Sequence, residues 1–346
     1  MLSVLLFSHL FSSILAADIN LLAVGDWGGI PFPPYSLPAQ RDVAEGMGVI
    51  GERIGATAVL GLGDNFYFSG IRGDETASRF EQTWNSVYNA QSLQIPWYNI
   101  AGNHDHYGNV TAEIEYTKTQ PIENNGRWNF PSLYYTKQFH ATNVDGQDIS
   151  LDVIFIDTID LSGNNENLAE DDPHYHDPLP PKPRGDAQEQ WTWIEQQLVA
   201  STADHIVVAG HYPVYSVCSH GNTGNLIDNL KPMLEQYGAH YIAGHDHCLV
   251  ASADANNINY LVIGAGNTCC TRDDHLEDVP VDVLKWYISD KSQHLHGITG
   301  GFASVGVDAT GIVFSFYDQE ANVLHTTTSS PARTRAGASG VDVAKK

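Results

Sequence analysis

Basic residues are scarce in this chain: 17 Lys and Arg stand against 41 Asp and Glu, a formal net charge of -24. That excludes a nucleic-acid backbone as the main partner, since binding it requires basic surface that releases counterions. It also obliges any phosphate-binding pocket to find its positive charge locally, for example from metal ions. Cysteine is thin as well. The four present, Cys218, Cys248, Cys269 and Cys270, fall in no zinc spacing such as paired C-x-x-C motifs. An oxidising compartment would permit a disulfide whose pairing the sequence leaves open, and a bond between the adjacent Cys269 and Cys270 would be strained. Also missing are a G-x-S-x-G elbow, a Walker A loop and a G-x-G-x-x-G turn, which removes three common catalytic templates. There is no repeat of solenoid length and no membrane span is expected.

What is present is enough chain, 346 residues, for a large core, with no linker-like break before the tail. The opening "MLSVLLFSHLFSSILA" is apolar and too short to span a bilayer, and reads as a secretory signal cleaved near Ala16 or Ala17. Its n-region has no Lys or Arg, so the start amine must serve there. The expected organisation is a signal over 1–17, one catalytic domain over 18–328 and a flexible tail over 329–346. A secreted or lysosomal/vacuolar product is expected, and the sequon Asn109-Val110-Thr111 fits a glycoprotein.

Strands are expected at 19–25, 57–62 and 96–101, with helices at 39–54 and 75–90, a βαβαβ start of the α/β class. "RWNFPSLYYTKQFH" and "DISLDVIFIDT" read as antiparallel-type strands. A Pro-, Asp- and Asn-rich stretch over 161–186 reads as a long exposed loop. Then come a helix at 187–200, a strand before His211, a helix near 225–237, a strand before His245, and further strands in "INYLVIGAGN", "GGFASVGVD", "GIVFSFYD" and "ANVLHTTT".

One grammar recurs. "NLLAVGDWG", "ATAVLGLGDNFY", "YNIAGNHDHYGNV", "HIVVAGHYP" and "HYIAGHDHC" each run apolar into a glycine and then into Asp, Asn or His. In sheets with helical crossovers, ligands sit beyond the carboxyl ends of the strands, so five such turns would converge on one site. The donors are carboxylates, imidazoles, a carboxamide and the Tyr67 phenol, with no thiolate. Such a set suits Zn, Mn or Fe rather than a structural zinc knot or a calcium cage. It exceeds what one ion needs. A pair of metals is the arrangement that serves phosphate-ester hydrolysis, and a phenolate favours Fe(III).

The ordered set "GDWGG", "GDNFY", "GNHDH", "VAGHYP" and "GHDH" resembles the purple acid phosphatases, a branch of the calcineurin-like metallophosphoesterases, in their small, tartrate-resistant form. The resemblance covers about residues 18–328. It implies a four-layer αββα sandwich of two mixed β-sheets flanked by helices, and an acid phosphatase acting on phosphate monoesters or phosphoproteins, as a monomer. It implies that Asp26, Asp64, Tyr67 and His247 hold Fe(III), that Asp64 bridges, and that Asn103, His211 and His245 complete a second site for Fe(II), Zn or Mn. His104 and His220 would be catalytic, meeting the substrate phosphate and the leaving group during attack by a metal-activated hydroxide. The small forms often carry a cysteine pair where this chain has Ser162 and Gly224, so that disulfide is absent. The 161–186 stretch resembles a repressing loop in which Asp171 or Asp172 would cover the site.

The remaining candidates read more plainly. Asp105 and His106 are expected to support the ligands from behind or to be structural, His205 and His240 to be structural, His174 and His176 solvated, and Trp27, Trp191 and Trp193 packing residues. The Arg72-Gly73-Asp74 triplet reads as chance. Two alternatives stand beside the phosphatase: a related phosphodiesterase with two divalent metals, and a secreted iron-binding or redox protein using the same centre. Tyr67 and the absence of a GDxxDRG pattern oppose the first, and the retained His104 and His220 oppose the second.

Overall fold

The computed structural model describes residues 17–73, 76–124, 126–163, 187–270, 272–288 and 297–333. Fourteen strands form two mixed sheets among the described residues. The first holds β1 (Ile19–Val24), β2 (Ala58–Gly61), β3 (Trp97–Asn99) and β4 (Trp128–Asn129), all parallel, extended through β12 (Gly301–Asp308), β13 (Gly311–Asp318) and β14 (Val323–Thr326) by antiparallel pairing. The second holds β6 (Asp148–Phe155), β7 (His205–Ala209), β8 (Ala239–Ala243) and β10 (Asn259–Ile263) in parallel, flanked by the antiparallel β5 (Tyr135–Thr142), β9 (Leu249–Ala253) and β11 (Leu284–Tyr287).

Side-chain alternation sets the layers. Along β1, Leu21 and Ala23 face the second sheet in a shared core with Val153, Phe155, Val207 and Ile263, while Leu22 and Val24 turn outward onto Val43, Met47 and Ile50 of the Pro38–Ile54 helix. On β7 the outward-facing Ile206 and Val208 pack with Ile194 and Leu198 of the Ala187–Ala200 helix. Strands buried on both faces explain why these segments are uniformly apolar rather than alternating. The result is the expected helix–sheet–sheet–helix sandwich.

Several expectations need correction. The "RWN" part of the segment expected to pair antiparallel is β4, parallel to β3, and only β5 pairs antiparallel. The helix expected over 75–90 is a single α turn, Thr76–Arg79, running into a π turn at Phe80–Asn85, where Phe80 and Trp84 both bury edge-on against Trp128. The helix near 225–237 likewise opens as a π turn, Leu226–Leu230, before Lys231–Tyr237. Residues 161 and 162, expected in the long loop, belong instead to a helix over Thr158–Ser162 that Asp157 caps by accepting from the Ile159 and Asp160 N–H groups. Residues 164–186, with Asp171, Asp172, His174 and His176, lie outside the described residues, as do 1–16 and Asp74. The start of the tail is packed: Ser330 bridges Ile312, and Arg333 donates to Ala203 O, Ser201 O and Tyr237 O.

Candidate metal centre

The two sheets lean on each other at the carboxyl ends of their parallel strands. After β1, Gly25 N–H donates to Ile263 O at the end of β10 (2.8 Å) and Gly25 O accepts from Gly266 N–H (3.0 Å), so the first turn is stitched across the gap. Asp26 N–H donates to Gly63 O, joining the first and second turns (3.0 Å). The glycines are required by this crowding: a Cβ on Gly102 would run into the Asp64 carboxylate and one on Gly244 would meet Asp26 Oδ2 at 2.5 Å. Asp26, Asp64 and His245 all take left-handed backbone, with φ of 59°, 52° and 72°. Each such residue costs about 1–3 kcal/mol, and strain of this kind gathers where side-chain direction matters more than stability.

All nine residues singled out by sequence come together here. Tyr67 Oη donates to Asp26 Oδ1 (3.1 Å) and lies 2.9 Å from His247 Nε2, which is itself 3.6 Å from Asp26 Oδ1. Asp26 Oδ2 accepts from the His245 N–H (2.7 Å). Asp64 Oδ1 accepts from the His104 N–H (3.0 Å) and is 3.5 Å from His211 Nε2. Asn103 Oδ1 is 3.0 Å from the same His211 nitrogen. The His220 ring sits 4.3 Å from that of His245, at the exposed rim.

Donor chemistry tests whether this set fits a metal. His211 Nδ1 lies 2.8 Å from Leu62 O, an acceptor only, so Nδ1 carries the hydrogen and in the neutral ring Nε2 carries a lone pair. That lone pair faces two more acceptors, Asn103 Oδ1 and Asp64 Oδ1. Donor atoms of Asp26, Asp64 and His211 lie within 4.8 Å of one another. Acceptors converging on one point are what a cation binds, and oxygen and nitrogen donors without thiolate suit hard or borderline ions.

The electrostatics agree. Burial, reinforced by the charge of Asp64, pushes Asp26 well above the usual carboxylate range. Burial also works against the charged form of Asp64, but His211, His104 and the His104 N–H more than offset it and hold that carboxyl low. Burial, with the surrounding imidazoles, pulls His245 well below the ordinary histidine range and His247 to about 4, leaving neutral rings able to ligate. The Tyr67 phenol is pushed far up by burial and by both carboxylates. A multivalent cation would relieve these oppositions together.

Behind the donors stands a layer that sequence reading left without assigned partners. Asp105 accepts from the Gly102, Asn65 and Phe66 N–H groups, fastening the "GDN" turn to the "GNH" turn. His106 Nε2 lies 2.9 Å from buried Asp157 Oδ2, and His247 Nδ1 lies 2.6 Å from Thr268 Oγ1. Asp246, unnoticed between two histidines, accepts from Ser216 Oγ, Ser219 Oγ and the His220 N–H. The Cys218–Cys248 disulfide ties the same loop to the same turn, and the adjacent Cys269 and Cys270, whose bonding the sequence left doubtful, stand sulfur against sulfur. A carboxylate flanked by two ligand-type histidines is a signal that could have flagged Asp246.

A family model for calcineurin-like phosphoesterases matches residues 19–249. The chain is similar to tartrate-resistant acid phosphatase type 5 of Rattus norvegicus, 35% identical over 322 residues, covering 92% of each chain. The Homo sapiens protein of that name is 35% identical over 319 residues, again 92% of each. Purple acid phosphatase 7 of Arabidopsis thaliana is 30% identical, over 90% of this chain and 86% of that one. Among solved structures, GAP50, the anchor in the inner membrane complex of Plasmodium, superposes with a TM-score of 0.74 at 22% identity, covering 92% of this chain and 90% of that one, a likeness of fold alone.

Proposed function

We propose, from the premise that this chain belongs to the calcineurin-like phosphoesterase family, that it is an acid phosphatase hydrolysing phosphate monoesters at a dinuclear Fe(III)–M(II) centre. The observation carrying this reading is the convergence of Asp64, His211 and Asn103 on one point and of Asp26, Tyr67 and His247 on a neighbouring one, with Asp64 between. Asp26, Asp64, Tyr67 and His247 would hold the ferric ion, and Asn103, His211 and His245 with Asp64 the divalent one, Fe(II), Zn or Mn. When bound, the pair supplies acidified water and the positive field that the acidic surface lacks.

The chain's own groups do the rest. His104 Nδ1 donates to Phe68 O (2.6 Å), which turns Nε2 toward the cleft, 3.9 Å from Asp64 Oδ2. From there it can hold a phosphate oxygen and pass a proton to the departing alkoxide. His220, exposed with its ring 4.3 Å from that of His245, would share that work. The Tyr67 ring, 4.6 Å from that of His104, walls the site between them.

We also assign the product to a secreted or lysosomal/vacuolar compartment. Support comes from the apolar opening, the Cys218–Cys248 disulfide, and exposed Asn109, whose Oδ1 caps the Val110–Thr119 helix by accepting from the Ala112 N–H.

The test is a visible spectrum of the purified protein with metal analysis and a p-nitrophenyl phosphate assay across pH. A tyrosinate-to-Fe(III) band, two metals per chain and faster hydrolysis in acid are expected, with the band lost in Tyr67→Phe. A colourless protein with two divalent metals acting on diesters would install the phosphodiesterase alternative, and a coloured protein without hydrolysis the iron-binding one.

A further inference from the structure

Glu113, on the Val110–Thr119 helix, is a fully buried carboxyl that the proposed reaction leaves unused. Filling space does not explain it, because a glutamate is almost never wholly buried unless it is paired. Its partner is an amide rather than a cation: Oε2 accepts from Asn65 Nδ2 at 3.0 Å. Burial and the neighbouring charge of Asp105 push Glu113 well above the usual carboxylate range, outweighing the Asn65 hydrogen bond and the Arg79 guanidinium, which pull the other way. In acid solution the group is therefore a neutral carboxylic acid, with the charge and nearly the shape of a glutamine.

What Glu113 holds is the turn between two donors of the centre. Asn65 follows Asp64 directly and precedes Tyr67 by two residues, and it is itself fully buried. Its side-chain nitrogen donates to Ile100 O (2.8 Å) as well as to Glu113, so each amide hydrogen has one acceptor. Its backbone N–H donates to Asp105 Oδ1 (3.0 Å). One residue thus joins the "GDN" turn to the end of β3, to the Asn103–His106 turn and to the helix that carries Glu113. Asp64 needs such support, since its left-handed backbone, φ 52°, persists only where the surroundings hold it.

We propose that Glu113 is a positioning residue for the metal centre: by fixing the Asn65 side chain it sets the turn that presents Asp64 and Tyr67 against the turn that presents Asn103. The inference rests on the metal-centre reading of that site. Affinity for an ion depends on donors that already stand in place, and groups that orient ligands from behind are worth about 10–100-fold in binding. Asp64 is the donor between the two ion positions, so a shift of its turn is felt at both. Glu113 touches neither substrate nor ion and acts only through Asn65.

The experiment titrates Zn(II) into chelator-treated protein against a chromophoric competitor, with the Tm of the metal-free protein measured in parallel, for wild type, Glu113→Gln, Glu113→Met and Asn65→Ala. Gln keeps an oxygen acceptor of the same reach, and Met keeps the volume without it. Glu113→Met should weaken Zn(II) binding about 10–100-fold, while Glu113→Gln stays within about threefold of wild type. Adding Glu113→Met to Asn65→Ala should cost no more than Asn65→Ala alone, since both remove one bond. Wild-type affinity in Glu113→Met overturns the proposal, as does an equal loss in Glu113→Gln or a fall confined to the Tm of the metal-free protein. If Glu113→Met does not fold, Asn65→Ala carries the comparison, and undiminished affinity there overturns the proposal equally. A wild type that binds no Zn(II) overturns the metal-centre reading itself.

Discussion

At the scale of the residue, the same imidazole does opposite work at two places. His104 is partly exposed, held through Nδ1 by the Phe68 carbonyl, with the other nitrogen facing the cleft. His104→Ala should lower kcat by about 10²–10⁴-fold while metal content stays unchanged; an unaltered rate would remove it from the reaction. His240 is 3% exposed and its Nδ1 accepts from the Asn259 N–H at 3.1 Å, so burial, with His205 nearby, pulls it down to about 3. The unfolded chain binds a proton near 6.5 that the folded chain refuses. Stability is therefore full above about pH 6.5 and is lost as pH falls toward 3, by about 2 kcal/mol already at pH 5. His240→Asn keeps an acceptor for Asn259 and removes the titration. The drop in Tm between pH 7 and pH 5 should shrink in that variant, whatever its offset at pH 7, and an undiminished drop would place the acid sensitivity elsewhere. For an enzyme expected to work in acid, this is a buried liability on the side of the sheet away from the centre.

At the scale of the element, what matters is how one turn is pinned to another. The loop carrying His220 is held to the "GHDH" turn twice, by the three hydrogen bonds to Asp246 and by the Cys218–Cys248 disulfide. In the proposed reaction Asp246 would therefore act through His220 rather than on substrate. Asp246→Ala and His220→Ala should each cost about tenfold in kcat, and the double variant little more than either alone, since coupled neighbours are not additive. Fully additive losses in that cycle would make Asp246 a matter of general stability. The short helix Asn103–His106 shows the same principle: four polar residues form one turn because Asp105 ties the turn's start to the neighbouring "GDN" turn. No periodicity could announce so short a helix. The π turns at Phe80–Asn85 and Leu226–Leu230 were equally silent in sequence, since they arise where Trp84 and Leu230 are drawn into packed clusters.

At the scale of the whole molecule, two sheets pack face to face, and beyond the carboxyl ends of their parallel strands stand two buried carboxylates, Asp26 from the first turn and Asp64 from the second, that repel each other without a cation between. Metal binding should therefore hold the sandwich together as well as run its chemistry. Stripping the metals with a chelator should lower Tm by roughly 5–10 °C, restored by adding iron and zinc. An unchanged Tm in protein verified as metal-free would mean that the centre is preorganised by the hydrogen-bonded layer behind it alone.

How far the sequence reaches can be read from these scales in turn. Apolar strands ending in glycine and then in Asp, Asn or His declare themselves locally, because strand burial, tight turns and donor chemistry are each written in adjacent residues. From that pattern followed the α/β class, the parallel βαβαβ start and a convergence of donors from five turns, while His220, the division of ligands between two metals and the two-sheet sandwich came from the resemblance to the purple acid phosphatases. The partners of those residues were decided only by tertiary structure. Asp246 reaching back to Ser216, Asp105 gathering the Asn65 and Phe66 N–H groups, Thr268 meeting His247, β4 joining parallel to β3, and Asn65 meeting Glu113 are all contacts between segments whose separation in the chain leaves no trace in either. A side chain's type is local information, and which distant backbone it meets depends on how two sheets pack.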